Sequence, residues 1–107
     1  MSANMIRADF RRNGNGFVSV QVRGHAGFAP GGEDIVCAGV TSAVMLTANA
    51  LTEILHECAQ VDLHQNEVAI TLHEQATGTA TVFLQALHLH LSLLQQQYPQ
   101  HITITEV

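Results

Sequence analysis

The 107-residue sequence contains no lysine and no tryptophan, and it has only two cysteines and two prolines. Without lysine, its positive charge comes from four arginines, all within the first 23 residues, against nine acidic residues. Nucleic-acid-binding proteins usually present a broad basic surface that neutralises phosphates, so direct nucleic-acid binding is not expected. Two cysteines are too few for a disulfide-stabilised scaffold, and thiols in the cytoplasm, the location that we predict, are normally reduced.

Long apolar runs are also scarce. No basic segment followed by an apolar stretch opens the chain, and no run approaches the ~18 apolar residues of a membrane span, so we expect no membrane association. With 47% apolar and 12% charged residues, the chain is typical of a folded protein rather than a disordered one. Its length suits a single domain, which we expect to cover residues 1–107.

The first 23 residues predict two antiparallel strands. Apolar residues alternate with polar ones in two stretches, at Ile6, Ala8, Phe10, Val18, Val20 and Val22. Between them lies the tetrapeptide Asn-Gly-Asn-Gly at positions 13–16, whose residues tolerate the positive φ of tight turns.

Helical periodicity follows a glycine-bearing segment. Residues recur at steps of three and four along one side of a predicted helix of about six turns, at Val36, Val40, Val44, Thr47, Leu51, Leu55 and Cys58. Asp34 is expected to be the N-cap, because a carboxylate there accepts amide hydrogens of the first turn.

A second helix is predicted from about Gly78 to Tyr98, ahead of Pro99. It carries two apolar stripes, one of Leu84, Leu87, Leu91, Leu94 and Tyr98, the other of Val82, Ala86, Leu89 and Leu93. Since two stripes exceed what a surface helix needs to bury, we predict a homodimer.

Alternation over residues 61–72 predicts one strand, or a hairpin if Gln65-Asn66 forms a turn, and residues 102–105 predict a last strand. The element order is therefore β-β-α-β(-β)-α-β. We predict an α+β fold, an α/β sandwich in which two helices pack on one face of a mixed, mostly antiparallel sheet of four or five strands.

His25 and Cys37 are the residues most suited to catalysis. His25 follows the second strand, and Cys37 is predicted in the first turn of the first helix, where amide hydrogens and the helix dipole favour a thiolate. His25 would take the thiol proton and later protonate a leaving amine. We therefore predict that they form a catalytic pair.

Several neighbours are predicted to support this pair. The backbone amide of Ala38, with that of Cys37, is a candidate donor to an oxyanion. Asp34 is either only the N-cap or also a group that orients His25, and Thr41 either contacts the sulfur or bonds its own helix backbone. The residues predicted to form a mobile loop over the site are Gly27, Phe28, Gly31 and Gly32.

Other chemistry fits less well. Seven histidines are present, but His88 and His90 lie two apart on a helix and no four-ligand spacing appears, so no metal or other cofactor is predicted. A thiol redox sensor needs a second cysteine near Cys37. Cys58 is predicted at the far end of the same helix, about 30 Å away at ~1.5 Å per residue.

The segment GHAGFAPGGEDIVCAGVTSAV, which begins at Gly24, resembles the signature of the ribosomal-processing cysteine protease family (Prp). Members carry Gly-His-Ala, a glycine-bearing loop and then Asp-Ile-Val-Cys-Ala, and the order of elements is similar over essentially the whole chain. The resemblance implies a homodimeric protease of Gram-positive bacteria with its nucleophile at Cys37, its base at His25 and its motif aspartate at Asp34. Thr41 stands where some relatives have serine.

The resemblance also implies a substrate. Family members remove an N-terminal extension from large-subunit ribosomal protein twenty-seven, cutting after a phenylalanine pair and before an alanine. A basic ribosomal protein precursor suits a chain of net charge −5. We therefore expect a Cys–His endopeptidase of ribosome maturation, whose apolar cleft involves Phe28 and the second helix. The alternative is a non-catalytic, dimeric ribosome-associated binding factor.

Overall fold

The computed structural model describes residues 5–14, 16–24 and 32–107, and the side chains from residue 35 onward in the last range. Within these ranges the elements are β1 (Ile6–Asn13), β2 (Gly16–Arg23), α1 (Gly32–Asn49), β3 (Ala59–His64), β4 (Glu67–Leu72), α2 (Gly78–Gln97) and β5 (Ile102–Glu106). A π-helical turn, Ala50–Ile54, continues α1.

The described strands form one sheet in the order β3-β4-β2-β1-β5. All neighbours are antiparallel except β5, which runs parallel to β1. Apolar side chains of the sheet and both helices share one buried core. The predicted α+β fold with a mixed, mostly antiparallel sheet and two helices is confirmed, and the second hairpin exists, with Asn66 at φ 64° in its turn.

A β-bulge changes which residues of β2 face the core. The register shifts between Arg11 and Arg12, so that Arg11 pairs with Ser19 whereas Arg12 pairs with Phe17. Val18 is the extra residue, and because a bulge reverses the alternation, Phe17 is buried and Val18 is not. The prediction that Val18 shares a face with Val20 was therefore wrong.

The structure corrects both ends of the first helix. α1 begins at Gly32 rather than after Asp34, as expected for a segment with two acidic residues in its first turn. Its helical hydrogen bonding ends in the π turn, where the Leu55 amide donates to the Ala50 carbonyl at 2.9 Å. His56 then adopts a positive φ of 52°, which redirects the chain toward β3. Cys58 consequently lies outside the helix.

The predicted core side of α1 is otherwise confirmed. Its buried members are Val36, Val40, Val44, Thr47 and Leu51, and the small residue Ala48 is buried with them. Thr47 tolerates burial because its hydroxyl donates to the Ala43 carbonyl at 2.9 Å. Leu55, by contrast, is exposed, since the helix has ended.

By length and composition, one helical stretch among the described residues is apolar enough to cross a membrane. It is Ile35–Ile54, with a mean hydropathy of 1.6. The chain has no uninterrupted apolar run of ~18 residues, but the averaged hydropathy of this helix meets the criterion for a membrane span. The same criterion is met by core helices, and in this fold 39% of the segment is buried against the sheet and α2.

The helices divide the sheet between them. α2 packs on β2 and β5, and α1 packs beside α2. The buried β4 residues Val68 and Ile70 belong to the same core as the apolar side of α1, so α1 covers the β4 half of the sheet. This arrangement leaves the flank of α1 that faces away from α2 next to β3, at the sheet edge.

Candidate active site

Cys37 is the sixth residue of α1, and its side chain is half-buried against the margin of the core. Residues that face α2 include Gly39, where an added Cβ would lie 3.9 Å from Leu94. Gly39 lies about 200° around the helix from Cys37, at ~100° per residue. Cys37 therefore lies on the flank of α1 away from α2, and Thr41, half-buried and one turn later, lies on the same flank.

The earlier start of α1 changes the roles predicted for its first residues. In an α-helix only about the first four amides lack an intrahelical acceptor, and these belong to residues 32–35. The amides of Cys37 and Ala38 lie in the second turn, so their prediction as oxyanion donors is not supported by the geometry. Asp34 lies within the first turn and is not the N-cap.

The helix dipole also helps the thiolate less than expected. Its effect on a charge falls off within the first turn, and Cys37 lies beyond that turn. The predicted activation of the sulfur therefore depends more strongly on a nearby base.

His25 is preceded by a glycine with an unusual backbone. Gly24 has φ +92°, and its amide donates to the Asn66 carbonyl at 3.2 Å. A Cβ at Gly24 would lie 2.6 Å from the Met5 carbonyl oxygen, a contact that real side chains do not make. This position requires glycine, and it fixes the direction in which the chain leaves β2 just before the predicted base.

The predicted base and loop residues His25, Gly27, Phe28 and Gly31 lie outside the described residues. Gly32, the remaining loop residue, is the first residue of α1. The seven residues between Gly24 and Gly32 thus join the end of β2 to the helix that carries Cys37.

Both anchors of this connection lie at one end of the sheet. Gly39 of α1 is near Leu94, close to the end of α2. From there the chain turns into β5. Just before β5, the His101 carbonyl accepts a hydrogen bond at 2.8 Å from the amide of Ile6, the first residue of β1. β1 begins at this end and pairs Arg7 with Arg23, so β2 ends there too. The fold therefore brings the end of β2 and the Cys37 end of α1 together.

A groove of about 560 Å³ lies between the two helices, but it is not at Cys37. Its lining comprises Gly39, Ser42, Ala43, Leu46, Thr47, Phe83, Ala86, Leu87 and His90. Cys37 points from the opposite flank of α1. The expectation that the second helix lines an apolar cleft beside the nucleophile is therefore not supported by this groove.

The solvent face of the sheet carries a charge network near the end of β2. Arg7 Nε donates to Asp9 Oδ1 at 3.0 Å, and Arg23 lies 3.3 Å from Asp9 Oδ2. Burial raises the pKa of Asp9, but hydrogen bonds from Thr105 and Arg7 and the arginine charges outweigh it, and the net direction is downward. This network joins the three strands β5, β1 and β2 and lies on the face opposite Cys37.

A second polar cluster, which sequence reasoning missed, lies at the β5 edge. Arg12 Nε and His88 Nε2 each lie 2.9 Å from Glu106, on different carboxylate oxygens. The hydrogen bond from Arg12 lowers the pKa of Glu106, and His88 stacks on Phe17 at 4.9 Å. The cluster fastens β5 to α2. Only tertiary pairing reveals it, since 94 residues separate Arg12 from Glu106.

Cys58 is an exposed thiol in the connection between the π turn and β3. Its neighbour Glu57 receives hydrogen bonds from the hydroxyl and the amide of Thr77, and these lower the pKa of Glu57. Since β3 begins at the far end of α1 from Cys37, the correction to the helix end does not bring the two sulfurs together.

No group of three histidine, cysteine, aspartate or glutamate side chains among the described residues has the geometry to hold an ion.

Comparison with known families gives a match over nearly the whole chain. The sequence profile of the family described as cysteine protease Prp matches residues 5–103. The ribosomal processing cysteine protease Prp of Bacillus subtilis strain 168 is 29% identical over 108 residues, covering 94% of this chain and 96% of its own. The protein of the same name from Staphylococcus aureus strain Mu50 is 27% identical, and the match covers 94% of this chain and 97% of that protein. The resemblance predicted from the sequence is confirmed.

Solved structures share the fold over nearly the full length. The essential ribosomal processing protease Prp of S. aureus, crystallised with a substrate peptide, superposes with a TM-score of 0.87 at 23% identity, covering 96% of this chain and 100% of its own. SMU.848 from Streptococcus mutans superposes with a TM-score of 0.83 at 28% identity, and the match covers 97% of this chain and 95% of that protein. The arrangement of helices on the sheet is thus that of these proteins.

Proposed function

Because this chain belongs to the cysteine protease Prp family, we propose that it is an endopeptidase that uses Cys37 as nucleophile and His25 as general base. The observation that carries the proposal is the position of Cys37. It lies on the accessible flank of α1, at the end of the sheet where β2 delivers the chain to His25. A cysteine with a histidine within reach is the minimal unit of a thiol protease.

The reaction proceeds in two steps. His25 takes the proton of Cys37, and the thiolate attacks the scissile carbonyl to form a tetrahedral intermediate. Its collapse breaks the C–N bond as His25 protonates the departing amine, which leaves a thioester on Cys37. Water, deprotonated by His25, then releases the carboxylic acid and restores the thiol. Amides of residues 32–35, the ones without helical acceptors, are better placed as oxyanion donors than that of Ala38.

The substrate that we propose is a ribosomal protein precursor, processed in the cytoplasm. Two relatives carry the name ribosomal processing cysteine protease, and large-subunit ribosomal protein twenty-seven with a Phe-Phe-Ala junction is the specific candidate. Ribosomal proteins are basic, and this chain has no positive residue after Arg23. Incubation of the precursor with this protein, followed by mass spectrometry, tests the proposal: one cut after the second phenylalanine supports it, and an intact precursor contradicts it.

Alkylation tests the activation of Cys37. Cys58 is exposed and Cys37 is half-buried, so access alone would make iodoacetamide label Cys58 first. We expect Cys37 to be labelled first near pH 7, because a histidine-activated thiolate reacts faster than a neutral thiol. Peptide mass spectrometry over time measures the order. In His25→Ala the order should reverse, and faster labelling of Cys58 in the unmodified protein would contradict an activated Cys37.

We also propose that the chain functions as a homodimer through the outer stripe of α2. Its exposed members are Val82, Ala86, Leu89 and Leu93, of which Leu89 is 59% exposed. Light scattering should give about twice the 11.5 kDa chain mass. Leu89→Glu should shift the mass toward the monomer by placing a charge in an apolar contact, whereas Ile54→Glu, at a more exposed site in the π turn, should not. Monomeric unmodified protein at micromolar concentration excludes the dimer.

A further inference from the structure

We infer that the open edge of β3 binds the substrate backbone in an extended conformation beside Cys37, and that Leu63 contacts an apolar side chain of the substrate. This inference rests on the protease function proposed above. It adds the location of the substrate and a residue that determines specificity.

β3 offers hydrogen-bonding groups that no described strand uses. It ends the sheet order, and among the described residues it pairs with β4 alone. The His73 amide donates to the Cys58 carbonyl at 2.8 Å, next to the registered pair Ala59–Leu72. Hydrogen-bonded and non-hydrogen-bonded pairs alternate in an antiparallel ladder, so Val61 and Leu63 belong to non-hydrogen-bonded pairs. Their amide and carbonyl groups point away from β4, toward the open edge.

The Ala59 amide is already engaged, since it donates to the Glu57 carbonyl at 2.9 Å. The amides open to a ligand are therefore those of Val61 and Leu63. They lie two residues apart on the open edge of β3, and an extended peptide would span them over about 7 Å, at ~3.3 Å per residue. Main-chain pairing of this kind gives affinity without depending on the peptide sequence.

The topology places this part of β3 on the same side of α1 as the candidate nucleophile. Cys37 and Thr41 are on the α1 flank away from α2, and α1 covers β4, so that flank faces the β3 edge. Glu67, the first residue of β4, pairs with His64 at the end of β3 on one side and with Arg23 at the end of β2 on the other. Leu63 thus lies at the end of the sheet where β2 leads to His25.

Leu63 has the properties of a substrate contact. Its pairing with the core residue Val68 places its side chain on the helix-bearing face of the sheet, yet it is 60% exposed. Val61 on the same face is half-buried against the core. Together they form an apolar shelf beside the Cys37 flank, on which a substrate side chain would cover Leu63.

The charge of the β3–β4 hairpin also favours a basic peptide at this edge. Asp62 and Glu67 lie on this edge hairpin, and residues 24–107 contain no lysine or arginine. The arginines belong to β1 and β2, where Arg7 and Arg23 pair with Asp9 and Arg12 pairs with Glu106. A basic peptide would meet no repulsion from side chains of β3 and β4. This suits the extension of a ribosomal protein and not an acidic peptide.

Leu63→Ala tests the side-chain contact. Because most of this side chain is exposed, its removal should leave the thermal midpoint nearly unchanged. We expect kcat/KM for a basic synthetic peptide containing Phe-Phe-Ala to fall about tenfold, mainly through KM. The matched control is Ile54→Ala, since Ile54 is 74% exposed at the opposite end of α1, and it should keep full activity. Equal kcat/KM in both variants overturns the role of Leu63.

Amide hydrogen exchange tests the backbone pairing. In Cys37→Ala, which binds the peptide without cutting it, the amides of Val61 and Leu63 should become protected on peptide addition. Those of Gln60 and Asp62 already bond to β4 and should not change. If the unmodified enzyme cuts the peptide but the β3 amides show no alternating protection, the inference is wrong and the protease function stands. If the peptide is neither cut nor bound, both are wrong.

Discussion

Replacement of Cys37 by alanine is expected to reduce cleavage of a Phe-Phe-Ala peptide by at least about 10³-fold, because without sulfur no acyl-enzyme forms. The fold should survive. Cys37 is only half-buried at the margin of the core, and alanine suits the middle of a helix, so the free energy of unfolding should change by no more than about 1 kcal/mol. Peptide cleavage followed by chromatography and thermal unfolding followed by circular dichroism measure the two quantities.

The matched control is Cys58→Ala. Cys58 is an exposed thiol that precedes β3, beyond the π turn. Its removal should leave both cleavage and stability unchanged. Residual cleavage in Cys37→Ala at the level of Cys58→Ala would show that the nucleophile lies elsewhere, whereas peptide binding without cleavage by the unmodified protein would favour a binding factor over an enzyme.

The fold followed from the sequence where local patterns decide structure. Asn-Gly turns, period-two alternation and the proline after Tyr98 determine the hairpins and the end of α2, and they are readable without knowing neighbours. Two features could not be predicted from the sequence. The bulge that buries Phe17 appears only when β2 is aligned with β1. The π turn at Ala50–Ile54 has the same spacing of apolar residues as a continued α-helix, so the sequence pattern does not distinguish the two.

The sequence selects candidate residues for the site, whose roles stay predictions, but it does not give their surroundings. His25 and Cys37 belong to a contiguous signature, so residue type and spacing were enough to select them. The start of α1 was misplaced because Asp34 is a good N-cap and an equally good first-turn residue, and only the structure distinguishes these positions. No sequence pattern selects Leu63 as a substrate contact, since its proposed role depends on β3 being the edge strand beside α1.

Replacement of Gly24 by alanine is expected to destabilise the fold by about 3 kcal/mol. A φ of +92° is costly for any residue with a Cβ, and here the Cβ would lie 2.6 Å from the Met5 carbonyl oxygen, a backbone atom that cannot rotate away. To relieve the contact, the end of β2 must separate from the start of β1. Thermal or urea unfolding measures the loss of stability, and for a chain of this size it corresponds to a lower midpoint by roughly 12 °C or more.

Gly14→Ala is the control that separates backbone strain from the steric contact. Gly14 has a positive φ of +70°, but an added Cβ there would have no heavy atom within 4 Å, so this variant should lose only about 1 kcal/mol. Activity distinguishes the two positions further. Measured well below both melting temperatures, Gly14→Ala in the distant hairpin turn should keep full kcat/KM. Gly24→Ala should lose about 10²-fold, since a displacement of about 1 Å in the residue before His25 misaligns the base with the sulfur. Equal stability and equal activity in the two variants would mean that the path of the chain out of β2 does not position His25, the proposed base.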